Sequence, residues 1–173
     1  TPTLKKVETS VKGIGTSMSK VEKHTGALDK AFGSLDCPLS GTGAQATQRD
    51  LVVYASGDSD AIIKCAGLFS DFAKQSADLG TFGNGSRMKF VANHLVAIHN
   101  VATAEAMVLA ERAGLDPKKV VEMVGPGAGG SRMFQMRAPM MVEGVYEPAT
   151  MKVSTWKKDM AIIAEFADEV GCT

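Results

Sequence analysis

The chain has 173 residues, a length typical of one domain or of one domain and part of a second. Hydrophobic residues make up 45% of the sequence, which is enough to build a packed core, and the formal net charge is zero. This balance argues against nucleic acid, an anionic membrane surface or a strongly charged protein as a partner.

The cysteine pattern indicates a reducing compartment. Cys37, Cys65 and Cys172 are odd in number and form no C-x-x-C pair, so they predict neither a disulfide framework nor a zinc site. The sequence shows no secretory leader and no apolar run near the ~18–20 residues that a membrane-spanning helix needs. We therefore expect a cytoplasmic protein with no membrane association.

The first half of the chain predicts a small α/β region. Residues 1–32 are rich in Lys, Ser, Thr and Gly and follow no clear hydrophobic period. Two short apolar runs bounded by turn-forming residues, Leu35–Leu39 and Leu51–Ala55, predict strands. A capped amphipathic helix is expected over Ala61–Ser76.

The second half predicts only helices. Apolar spacing predicts a long helix over Met88–Ala113, followed by Lys118–Val124, Ser131–Val142 and Val153–Val170. Pro139 is expected to kink or end the third of these. The long helix is apolar nearly all round and must be wrapped by other helices or by another subunit. We therefore expect a homodimer or homotetramer that assembles through the helical block.

Lys89 and Asn93 are the first candidate for chemistry. They are four residues apart, so they project from the same face of the long helix. The preceding glycines of Gly83–Ser86 allow a ligand to approach the backbone, and free N–H groups at a helix start favour anions. Such a pair suits the holding and protonation of a substrate oxygen. Spacing alone, however, favours an ordinary surface lysine beside an ordinary Asn.

Two further stretches carry polar groups that suit a ligand. The residues that follow the first predicted strand offer hydroxyl and N–H groups suited to a carboxylate, and they are Ser40, Gly41 and Thr42. The triplet Lys157–Asp159 near the start of the last helix is usually solvated charge. His94 and His99 are five residues apart with no third ligand nearby, so we expect no metal site.

Together these stretches resemble the 3-hydroxyisobutyrate dehydrogenase family, the β-hydroxyacid dehydrogenases related to 6-phosphogluconate dehydrogenase. The family shows D-x-P-x-S-G-G, then G-x-G-x-x-x-K followed by Asn, then A-E-A-x-x-L-A-x-x-x-G-L-D, then K-D-L/M. The corresponding stretches here, in the same order, are Asp36–Thr42, Gly83–Asn93, Ala104–Asp116 and Lys158–Met160.

The resemblance implies an oxidoreductase that moves a hydride between NAD or NADP and a small β-hydroxy acid or its semialdehyde. It implies Lys89 as the general acid/base, Asn93 as a hydrogen-bonding partner of the substrate, and Lys158 as a group at the cofactor. The residues implied to bind the substrate carboxylate are Ser40, Gly41 and Thr42. A lysine starts near a pKa of ~10.4, so a base working near neutral pH needs partial burial or a neighbouring positive charge.

The resemblance also implies a fold class and domain boundaries. We expect a mainly α protein in which a remnant of an N-terminal α/β Rossmann-type domain, residues 1–85 with a substrate loop at 36–46, precedes an all-helical dehydrogenase C-terminal domain. That helical substrate and dimerisation domain, residues 86–173, is expected to be incomplete at its C-terminus.

Two departures from the family pattern affect the expected function. Thr42 stands where the family has a second glycine, which puts the family's commonest substrates in doubt. The fingerprint G-x-G-x-x-G has only a partial counterpart in Gly13 and Gly15, so this chain alone is expected to bind the cofactor weakly or not at all and to be inactive. The alternative function is a non-catalytic helical dimerisation or interaction module derived from the same fold.

Overall fold

A computed structural model describes residues 34–147, 149 and 152–172. Its elements in chain order are β1 (Leu35–Asp36), β2 (Leu39–Ser40), α1 (Gly43–Thr47), β3 (Leu51–Gly57), α2 (Ser59–Phe72), β4 (Ala73–Asp78), α3 (Asn84–Arg112), α4 (Pro117–Val124), α5 (Arg132–Glu143) and α6 (Val153–Glu169). The contacts divide the chain into two compact units, the first ending at Ser86 and the second beginning at Arg87. The mainly α fold class with a small sheet is confirmed.

The sheet of the first unit is built around β3. β1 and β2 are antiparallel to β3 and keep one register along the same edge, while β4 is parallel to β3 on the other edge. The carbonyl of Pro38 accepts a hydrogen bond from the Tyr54 N–H at 3.0 Å, but Pro38 has no N–H to return. The predicted strand Leu35–Leu39 is therefore two short strands that Pro38 separates.

The segment β3–α2–β4 is a crossover unit that carries the core of the first unit. Val53 and Ala55 of β3 are fully buried and pack with Ile62 and Phe69 of α2. The prediction of a helix through Ser76 is wrong, because α2 ends at Phe72 and the next six residues form β4. The local sequence has no helix breaker there, and pairing with β3 overrides the local helix propensity.

The second unit has a small core between its helices. Met107 of α3 packs with Phe134 and Ala138 of α5. Pro139 does not end α5, since the helix continues to Glu143 and ends at Gly144 in the left-handed conformation (φ 66°), and the expected kink stays a prediction. Ala138, the residue before Pro139, is fully buried in this core.

Helix α3 exposes large apolar side chains along one broad side. They are Met88, Val91, Leu95, Ile98, Val101, Val108 and Leu109. We expect subunits to contact one another through these exposed apolar side chains, and the oligomeric state stays a prediction. Among the described residues, no helix combines the length and the apolar character required to cross a lipid bilayer.

Loss of the cap of α5 is expected to destabilise the second unit. The Ser131 hydroxyl accepts a hydrogen bond from the Phe134 N–H at 3.0 Å, and Phe134 is only 3% exposed. Ser131→Ala should lower the free energy of unfolding by about 1 kcal/mol, measured by urea denaturation. The control is Ser70→Ala in α2, whose exposed hydroxyl donates only to the Gly67 carbonyl of its own helix. An equal loss in both variants would contradict the capping role.

Candidate active site

The predicted substrate loop begins where β2 ends. Ser40 pairs with Val52 across the sheet, and Gly41 follows with φ 137°, a conformation that residues with a side chain rarely adopt. A Cβ at position 41 would also collide with the Leu51 side chain. The sheet and the glycine together fix the path of the loop into Thr42.

Thr42 is the N-cap of α1 and forms a capping box with Gln45. Its N–H donates to Gln45 Oε1 at 2.9 Å, and its hydroxyl accepts from the Gln45 N–H at 3.4 Å. The Gln45 amide also donates to Asp50 at 2.9 Å, and Asp50 forms an ion pair with Lys74. A substrate carboxylate at the Thr42 N–H would therefore take the place of the Gln45 amide oxygen. The T-x-x-Q pattern of Thr42 and Gln45 is the sequence signal from which this box can be predicted.

The carboxylate of Asp36 holds the start of α3. Ser86 donates twice, from its N–H to Asp36 Oδ2 and from its hydroxyl to Oδ1, both at 2.8 Å. The fully buried Ser56 hydroxyl accepts from the Gly85 N–H at 2.9 Å and lies 3.2 Å from Asp36 Oδ2. The hypothesis that N–H groups at this helix start serve an anionic ligand is therefore wrong for Gly85 and Ser86. Both N–H groups are already used inside the protein.

Lys89 lies in the second turn of α3 and is half-buried. Burial lowers the pKa of its amine below the ordinary value, while the negative charge of Asp159 on α6 opposes this by raising it. Asn93, also half-buried, lies one turn further along α3. Phe90 and Phe166 join the two helices through rings whose centroids are 5.2 Å apart. The lowered pKa has the direction that a general base requires.

Lys158 is a further predicted site residue that lies within the described part of the chain. The Lys158 side chain on α6 is 74% exposed, and its amine lies 4.0 Å from the Asp159 carboxylate. Gly13 and Gly15 lie outside the described residues. Within the described part of the chain, no group of three or more His, Cys, Asp or Glu side chains is arranged to hold a metal ion.

Comparisons with known proteins place these elements in one family. Residues 83–173, slightly more than half of the chain, match the family model described as NAD-binding of NADP-dependent 3-hydroxyisobutyrate dehydrogenase. The matched region contains Lys89, Asn93 and Lys158.

Similar proteins include named oxidoreductases. The chloroplastic glyoxylate/succinic semialdehyde reductase 2 of Arabidopsis thaliana is 32% identical over 95% of this chain and 45% of its own length. The L-threonate dehydrogenase of Cupriavidus necator is 32% identical over 77% of this chain and 45% of its own length. A crystal structure of 3-hydroxyisobutyrate dehydrogenase from Salmonella typhimurium superposes with a TM-score of 0.73 at 33% identity, covering 80% of this chain and 49% of that one.

The chain spans about half the length of the curated relatives that it matches. The family match covers α3 through α6, the helices that carry the half-buried lysine and its acidic neighbour. The chain therefore belongs to the family of NADP-dependent 3-hydroxyisobutyrate dehydrogenases, and residues 83–173 are the part that matches the model of that family's NAD-binding region.

Proposed function

We propose that this chain is the substrate-side part of an NAD(P)-dependent oxidoreductase that acts on a small β-hydroxy acid or its semialdehyde. The observation that carries the proposal is the half-buried amine of Lys89, whose pKa burial lowers, within the region that matches the family. A lysine with a lowered pKa is neutral in a larger fraction of molecules near neutral pH and can accept a proton.

The proposed reaction separates a proton from a hydride. In oxidation, the neutral Lys89 amine takes the hydroxyl proton as the carbon–oxygen double bond forms, and in reduction it returns that proton. Asn93, one turn along the same helix face, orients the substrate oxygen by a hydrogen bond. When bound, NAD or NADP accepts or supplies the hydride, and Lys158 is proposed to contact it with its exposed ammonium.

The proposed substrates share a carboxylate and a nearby hydroxyl or aldehyde. Residues Ser40–Thr42 would bind the carboxylate, with the Thr42 N–H released from the Gln45 amide oxygen. The names of the Arabidopsis reductase and the Cupriavidus dehydrogenase refer to small carboxylates with this chemistry, which supports the same class here.

The wider organisation of the protein is part of the proposal. We propose that residues 1–85 belong to the α/β side of the enzyme and residues 86–173 to the helical substrate and dimerisation side. The exposed apolar residues of α3 favour assembly as a homodimer or homotetramer. The three free thiols favour a cytoplasmic location.

An activity screen of the complete protein tests this function. The substrates are 3-hydroxyisobutyrate, glycerate, threonate and succinic semialdehyde, each with NAD and NADP in the matching redox state. Absorbance of the reduced nicotinamide reports turnover. Failure on all four substrates with both cofactors, by a folded protein, would favour the alternative, a non-catalytic helical interaction module.

The pH dependence of turnover tests the electrostatics around Lys89. Because Asp159 raises the pKa of Lys89, Asp159→Asn should lower it further. Oxidation requires the neutral amine, so the rising limb of log(kcat/KM) against pH should move to lower pH. Lys158→Gln, which removes only the exposed neighbour of Asp159, should move the limb little. A limb that stays in place or moves to higher pH in Asp159→Asn would contradict this assignment.

A further inference from the structure

We infer that Asp36 is a positioning residue for the reaction, because its carboxylate fixes the first turn of the helix that carries Lys89. This inference rests on the proposed function. It concerns a residue that touches neither substrate nor cofactor in the proposed reaction and acts through the backbone of α3.

The contact between Asp36 and Ser86 constrains the helix start in two directions. One carboxylate oxygen accepts the Ser86 N–H and the other accepts its hydroxyl, both at 2.8 Å. Two hydrogen bonds to a planar carboxylate restrict rotation as well as translation, and those to a charged acceptor are the stronger kind. The negative charge also lies at the N-terminal end of the α3 dipole, where it is stabilised.

Ser56 provides a second contact between the start of α3 and the sheet. Ser56 is the direct cross-strand partner of Asp36, and its fully buried hydroxyl accepts the Gly85 N–H at 2.9 Å. Consecutive N–H groups of α3 are thus held by paired residues of β1 and β3. A Cβ on Gly85 would collide with the Tyr54 carbonyl and lie 2.7 Å from that of Asp36. The helix start therefore lies directly against the strands.

The anchored turn is adjacent in the chain to both proposed functional groups. Lys89 follows Ser86 by three residues in the same continuous helix, and Ser40 follows Asp36 by four residues. A helix transmits a displacement of its first turn to the next because each turn is hydrogen-bonded to the one before it. A misplacement of about 1 Å in a reacting group reduces rate by about 100-fold. Asp36 is thus placed to affect turnover without contacting the substrate.

The competing explanation is that Asp36 is only a helix cap that contributes stability. Asp58 provides a matched control, because its carboxylate accepts the Ala61 N–H at 2.8 Å as the N-cap of α2, a helix that carries none of the proposed site residues. Both substitutions to Ala remove an acidic group at a helix start, and each should lower Tm. Only the loss of Asp36 should change the chemical step.

The experiment compares Asp36→Ala, Asp36→Asn and Asp58→Ala in the complete protein. For each variant kcat, KM and Tm are measured, together with hydrogen exchange of the amides at positions 85–89. Asp36→Ala should lower kcat by about 100-fold and speed exchange at those amides, whereas Asp58→Ala should leave both near wild type. Asp36→Asn should recover part of kcat, since its amide can still accept from the Ser86 N–H.

The outcomes separate this inference from the function on which it rests. If Lys89→Met abolishes turnover but Asp36→Ala and Asp58→Ala have the same kcat, only the positioning role is wrong. If Lys89→Met retains turnover, the proposed function itself is wrong. Should Asp36→Ala not fold, Ser86→Ala decides, because it removes one of the two hydrogen bonds. It should lower kcat by about 10-fold, and a wild-type kcat would overturn the inference.

Discussion

Lys89→Met is expected to lower kcat of the complete protein by about 100- to 10,000-fold, because that is the range that general acid–base catalysis contributes. Methionine keeps an unbranched side chain of similar length but cannot carry a proton. KM should change little if the amine acts mainly in the transition state. The measurement is steady-state turnover on the best substrate of the screen.

The same variant should be at least as stable as wild type near neutral pH. Burial lowers the pKa of folded Lys89 below its ordinary value of 10.5, so the protonated amine destabilises the fold at pH values below the folded pKa. This penalty is relieved as pH rises from the folded pKa toward 10.5, and the advantage of methionine should shrink over that window. Urea denaturation at pH 7 and pH 10 measures the difference.

The control for both measurements is Lys64→Met on the exposed surface of α2. It should leave kcat unchanged. A Lys89→Met protein that is folded and turns over at the wild-type rate would remove the dehydrogenase mechanism and favour the interaction module.

Gly85→Ala is expected to reduce the free energy of unfolding by about 3 kcal/mol, because the new methyl group meets backbone atoms rather than movable side chains. Its Cβ would collide with the Tyr54 carbonyl oxygen, and it would lie 2.7 Å from that of Asp36 and 3.0 Å from Pro38 Cδ. Relief requires the first turn of α3 to move away from the strands. Thermal unfolding should show a Tm lower by roughly 6–12 °C.

Gly67→Ala is the matched control for this substitution. Gly67 lies in the exposed face of α2, and a Cβ there meets nothing within 4 Å. Alanine in an unobstructed helix position is expected to stabilise by about 0.5–1 kcal/mol relative to glycine. The two variants should therefore change Tm in opposite directions. A similar Tm for both would mean that the helix start has room that the structure does not show.

Local signals predicted the parts of the fold that depend on local chemistry. The predicted helices Lys118–Val124 and Ser131–Val142 correspond to α4 and α5, which Asp116 and Ser131 cap. The existence of α3 followed from its apolar spacing, although the helix begins four residues before the predicted start. Each of these features is decided by residues within one or two turns, where the side chains themselves complete the hydrogen bonds.

Features that depend on distant partners were not predicted. The strand β4 exists because Gln75–Asp78 align with β3, and nothing in that short polar segment indicates it. The contact between Asp36 and Ser86 joins residues 50 positions apart. Asp36 belongs to the motif Asp36–Thr42, but its carboxylate accepts hydrogen bonds from Ser86 at the start of α3. The pKa of Lys89 likewise depends on a distant residue, Asp159, which lies 70 positions further along the chain.

The proline between β1 and β2 has a consequence for the helix start. An ordinary residue at position 38 would return a hydrogen bond to the Tyr54 carbonyl, and Pro38 cannot. That same carbonyl oxygen faces the Cα of Gly85, where a C–H donor offers a weak contact worth about 0.5–1 kcal/mol. The carbonyl to which Pro38 cannot donate is thus the one that Gly85 approaches from 47 positions further along the sequence. Substitutions at the two positions should therefore not be energetically independent.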